Sequence, residues 1–116
     1  MSQMWFMKNV ASSALCAMAM LAVSPSHAQQ AAEVQVTYSR GQFQPGEVRA
    51  PADTPITFRV KNLDAKAMEF ESKSLRVEKV VAANSEGVIN VRALKPGRYE
   101  FYDDFNDQAR GALTVQ

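Results

Sequence analysis

From Val34 onward, apolar and polar residues alternate in short runs separated by turn-forming residues. Val34, Val36 and Tyr38 alternate with Gln35 and Thr37. Ile56, Phe58 and Val60 alternate with Thr57, Arg59 and Lys61. Met68 and Phe70 alternate with Glu69 and Glu71, Ile89 and Val91 share one side of a run, and Tyr99 and Phe101 flank Glu100. Leu113, Thr114 and Val115 close the chain. A period of two sends successive side chains to opposite faces, so each run predicts a strand with one buried face. Between the runs, Arg40-Gly41, Pro45-Gly46, Pro51 to Pro55, Asn62 to Asp64, Asn84 to Gly87 and Lys95 to Gly97 carry turn chemistry. About seven short strands at this spacing predict an all-β sandwich. Only between Lys73 and Val81 is the period ambiguous, and there alone a helix is credible.

The N-terminus follows a different rule. Lys8 precedes a predominantly apolar run from Val10 to Val23, and the small residues Ser26 and Ala28 follow it. This is the pattern of a secretory signal peptide over residues 1–28, cleaved after Ala28. The run is shorter than the roughly 20 residues that span a bilayer, so the exported chain is expected to have no membrane insertion. Cys16 follows the bulky Leu15 and precedes more apolar chain, which argues against lipidation.

Composition sharpens the picture once that leader is set aside. The full chain of 116 residues carries 13 basic and 12 acidic side chains. A near-neutral balance predicts no nucleic-acid partner. The single cysteine (Cys16), the single histidine (His27) and five of the six methionines lie in the leader. The domain expected over residues 29–116 therefore has no thiol or imidazole, which excludes triads built on cysteine or histidine. Its one methionine is Met68.

Leu94-Lys95-Pro96-Gly97-Arg98-Tyr99 has the form of a tyrosine corner, in which the phenol ties the strand crossover to upstream backbone. The stretch Gly97 to Tyr102 is similar to the G-x-Y-x-F-Y before the copper-ligating cysteine of blue copper proteins. Gly111 to Val115 resembles their closing G-x-L-x-V strand, and Val60-Lys61-Asn62 the strand before their first histidine. The chain thus resembles a cupredoxin, which implies a Greek-key β-sandwich. At the ligand positions it departs: Asp103 falls at the cysteine, Asn106 at the second histidine, and Met68 near the first. A type 1 blue copper centre, which needs a thiolate, is not expected.

A narrower resemblance covers Phe43-Gln44-Pro45, Pro55 to Phe58, Met68 to Ser72, Glu78 to Val81 and Phe101 to Phe105. These look like the cupredoxin-like domain of periplasmic iron-uptake systems. It occurs fused to EfeO-type lipoproteins or as a small stand-alone protein beside a periplasmic iron-binding protein and an inner-membrane Ftr1-type iron permease. The resemblance implies a periplasmic accessory of ferrous iron uptake that binds iron, copper or both and assists Fe(II) oxidation before transport. It implies metal contacts at Met68, Glu69, Glu71, Asp103 and Asp104, with Glu78 outlying.

The residues themselves support part of this set. Glu69 and Glu71, two apart on a strand, project from one face. Asp103, Asp104 and Asp107 lie just beyond the Tyr99 strand. Converging carboxylates suit iron, Mn(II) or Cu(II), and a thioether adds a soft contact for Cu(I). Such a site holds no electron acceptor, so a non-enzymatic metal-binding accessory is expected rather than an oxidase acting alone. Two alternatives stay open: a non-catalytic interaction module, and a copper-handling protein without a blue centre.

Overall fold

A computed structural model describes residues 30–116, so the expected signal peptide, with Cys16 and His27, lies outside the described residues. Among the described residues, nine strands form two sheets. They are β1 (Ala32–Ser39), β2 (Gln42–Gln44), β3 (Glu47–Ala50), β4 (Ile56–Asn62), β5 (Met68–Ser72), β6 (Val77–Val81), β7 (Ser85–Val91), β8 (Gly97–Asp103) and β9 (Asn106–Val115). One sheet has the order β2-β1-β4-β7 and the other β3-β9-β8-β5-β6. The β1–β4 and β3–β9 pairs are parallel, and the others antiparallel.

The expected all-β sandwich is present, with more strands than the alternation showed. The additional ones, β2, β3 and β6, are short edge strands whose few residues carry no readable period. No helix forms between Lys73 and Val81: the chain turns at residues 73–76 and returns as β6. The Ser72 hydroxyl accepts from Leu75 N at 3.2 Å, and Arg76, at φ 57°, completes the reversal. Only Val81 of β6 is buried, which is why its sequence lacks clean alternation.

The core lies where the inward faces meet. Phe58 of the first sheet stacks against Phe70 and Phe101 of the second, at centroid separations of 5.0 and 5.5 Å. Phe43 on β2 adds edge-on contacts to Phe101 at 5.0 Å and Phe70 at 6.2 Å. Aromatic pairs in this geometry add about 0.5–1.5 kcal/mol each beyond area burial. The tyrosine corner forms as its sequence suggested: Tyr99 Oη donates to Lys95 O at 2.8 Å.

Two ties shape the end of the sandwich where β1, β4 and β8 finish. Arg40 and Gly41 both have positive φ, 54° and 70°, as a two-residue hairpin turn requires. Their N–H groups donate to the Asp64 carboxylate at 2.7 and 3.0 Å, which offsets the strain on Arg40. Buried Asn62 then holds the next loop, donating through Nδ2 to the carbonyls of Lys66, Val81 and Ala82 and accepting from Asp64 N.

Candidate functional site

Strand β5 runs Met68-Glu69-Phe70-Glu71-Ser72, with the first, third and fifth residues buried and the glutamates half-buried on the outer face of the five-stranded sheet. Pairing register places Glu71 directly opposite Glu78 on β6 and Tyr102 on β8. The β8–β9 register then sets Arg110 opposite Tyr102, with its guanidinium 5.3 Å from the ring centre. The result is an outward row of Glu78, Glu71, Tyr102 and Arg110.

The turn after β8 delivers the third carboxylate. The ladder is irregular between Tyr102 and Asp103, and Asp104 N donates to Glu69 O at 2.9 Å. That bond folds the turn over the start of β5. One carboxylate oxygen from each of Glu69, Glu71 and Asp104 then lies within 4.8 Å of the others.

Crowding of like charges leaves an electrostatic signature. The Glu69 carboxyl is raised above the usual carboxylate range, first by desolvation and then by the charges of Glu78, Asp104 and Glu71. Tyr102 is raised as well, first by desolvation and next by Glu71. A cation held among these oxygens relieves the repulsion. Clustered carboxylate oxygens suit hard cations best, among them Mg(II), Ca(II), Mn(II) and iron.

Two of the residues expected at the site lie elsewhere. Met68 is fully buried in the core, because the alternation that turns Glu69 outward turns its neighbour inward. Asp103 also points inward and is 2% exposed. Its Oδ2 accepts from Tyr38 Oη at 2.6 Å, and its Oδ1 from Glu69 N at 2.9 Å and Phe105 N at 3.0 Å. Burial first, then the Asp103 bond, pushes the Tyr38 phenol up to about 12. The geometry thus brings Glu69, Glu71 and Asp104 together and separates Met68 and Asp103 from them.

Sequence reasoning passed over Tyr102, and it left Glu78 at the margin. Neither is near Glu71 along the chain, and only cross-strand register makes them neighbours. Asp107 lies farther out, in a surface groove that also includes Asp104, Tyr102, Arg110 and Lys73.

A family model for the cupredoxin-like domain matches residues 12–115. An uncharacterized protein of Rickettsia prowazekii (strain Madrid E) is 38% identical over 84 residues, which is 72% of this chain and 67% of the relative. Among solved structures, the metal binding domain of the Cu(I)-exporting P-type ATPase CopA of Streptococcus pneumoniae D39, with Cu(I), superposes with a TM-score of 0.63 at 15% identity. The alignment covers 72% of this chain and 84% of that domain. A purple cupredoxin from Nitrosopumilus maritimus gives a TM-score of 0.55 at 16% identity, over 72% of this chain and 99% of its own.

Proposed function

The chain belongs to the cupredoxin-like domain family, and from that premise we propose that it is a periplasmic metal-binding accessory of ferrous iron uptake. Its cargo cation sits on Glu69, Glu71 and Asp104, with Glu78 beside them. The carrying observation is the approach of three carboxylates, two from strand β5 and one from the turn after β8, to within 4.8 Å. Export rests on the signal pattern of residues 1–28. The partners, a periplasmic iron-binding protein and an inner-membrane iron permease, rest on the resemblance to iron-uptake domains.

Type 1 copper is outside this reading because the donors at the corresponding end do not fit it. That ion takes a thiolate, two imidazoles and a thioether. Here the Met68 thioether is sealed in the core, and both oxygens of Asp103 already accept hydrogen bonds. Among the described residues, no buried side-chain nitrogen or oxygen lacks a partner that a metal would otherwise supply. The protein's own residues bind and orient the cation. Oxidation of Fe(II) falls to a copper ion or protein partner that accepts the electron, so the chain acts as a carrier rather than an enzyme.

A second reading, copper handling, draws on the Streptococcus pneumoniae domain solved with Cu(I). Calorimetric titration with Mn(II), anaerobic Fe(II), Cu(II) and Cu(I) separates the two. Iron uptake predicts micromolar binding of Fe(II) and Mn(II), abolished by combining Glu69→Gln, Glu71→Gln and Asp104→Asn. Tight Cu(I) binding that survives those changes favours copper handling. Millimolar affinities throughout, unchanged by the substitutions, leave a non-catalytic interaction module.

A further inference from the structure

A buried carboxylate in an apolar core needs a reason. Taking the charge out of water is costly unless both carboxylate oxygens find donors. Asp103 meets that condition with three donors, and their origins are informative. Tyr38 reaches across from the other sheet, while the other two donors are the backbone N–H groups of Glu69 and Phe105. Glu69 is one member of the carboxylate triad, and Phe105 follows directly on another, Asp104.

The sheet itself does little to hold these two segments together. The β5–β8 ladder pairs Glu71 with Tyr102 and Phe70 with Asp103, and it ends there. The β8–β9 ladder is irregular at the same point. Past Phe70, two links connect the start of β5 to the turn: the bond from Asp104 N to Glu69 O, and the Asp103 carboxylate accepting from both sides. Oδ1 is therefore a clamp on the main chain beneath two ligands, and the Tyr38 hydroxyl fixes the orientation of that clamp.

We propose that Asp103 is the positioning residue of the carboxylate triad, its Oδ1 setting the separation of Glu69 and Asp104 from beneath the sheet. The inference rests on the metal reading above and changes the role of Asp103 from ligand to support. Adjacent aspartates divide the work, Asp104 facing the cation and Asp103 facing the core. Supporting groups of this kind typically alter metal affinity by about 10–100-fold when removed.

The test titrates Mn(II) alone into the full chain and three variants, with circular dichroism reporting folding. Asp103→Asn keeps an oxygen for the Glu69 and Phe105 N–H groups, so its affinity is expected within about threefold of wild type. Asp103→Ala removes that oxygen and is expected to lose at least about tenfold, with stoichiometry preserved where binding is saturable. Glu71→Gln removes a ligand and is expected to lose more. If Asp103→Ala does not fold, Asp103→Ser takes its place, its hydroxyl being too short to meet both amides. Asp103→Asn falling as far as Glu71→Gln makes Asp103 a ligand and overturns the proposal. A folded Ala or Ser variant that binds like wild type overturns the positioning role alone. A wild-type chain that takes up no Mn(II) overturns the metal reading, and this role with it.

Discussion

Gly111 of β9 lies flat against the ring of Phe101 on β8, so that a β carbon on the glycine would sit 2.6 Å from the ring's Cζ. Phe101 has nowhere to retreat. Its ring is fully buried against Phe43, Phe58 and Phe70, with centroids 5.0 to 5.5 Å away. Gly111→Ala is therefore expected to destabilise the domain by about 1–3 kcal/mol through overpacking. Gly46→Ala, with nothing within 4 Å of the added carbon, is the matched control and stays within about 0.5 kcal/mol. Urea denaturation of both variants reads the difference, and equal midpoints would refute the steric account.

Asn62 acts as a fastener that the turn pattern alone did not reveal. Its Nδ2 reaches three carbonyls at 2.8 to 3.3 Å and its Oδ1 accepts from Asp64 N at 3.0 Å, all from a fully buried position. Asn62→Ala strands these groups and is expected to cost about 1–3 kcal/mol. The loss should appear as accelerated amide exchange at Asp64 and raised mobility of residues 63–67, detectable by hydrogen exchange. Unchanged protection at Asp64 would count against it.

Alkaline stability should report on the Tyr38 phenol. Its pKa is pushed up to about 12, so the fold favours the protonated form over the unfolded chain, where the group titrates near about 10. The stabilisation is then complete below about pH 10 and is lost as pH rises toward 12. The urea midpoint of the wild type is expected to fall across that window, and that of Tyr38→Phe to fall less. Parallel curves would remove the buried phenol as the cause.

The acidic patch carries a stability cost in the metal-free protein. Glu71 faces Glu78 directly across the β5–β6 pair, and like charges so placed repel. Glu78→Gln is expected to raise the melting temperature slightly in the absence of metal and to bring the Glu69 carboxyl down toward its ordinary range. High salt should shrink the gain, because these groups are solvent-facing. A variant less stable than wild type at low salt would contradict the repulsion argument.

Much of this molecule was legible in its residues. Strict alternation in β1, β4, β5 and β8 revealed both the strands and their buried faces. Leu94 to Tyr99 announced the tyrosine corner, and Gly111 stood in a recognisable closing strand. The short edge strands β2, β3 and β6 escaped notice, because three to five residues with one covered face leave little period to detect. A helix between Lys73 and Val81 was credible for the same reason.

The candidate site divides along the same line. That Glu69 and Glu71 share a face follows from a two-residue period, a local property of any strand. That they meet Asp104, with Glu78 and Tyr102 beside them, does not follow from anything local. It depends on how β5 registers against β6 and β8, and on the irregularity that ends the β8 ladder. The β8 alternation, continued past Tyr102, turns Asp103 inward to Tyr38 and leaves Asp104 exposed. Two identical neighbours thus receive opposite environments: a local period of two points them apart, and only partners distant in sequence satisfy the carboxylate that is buried.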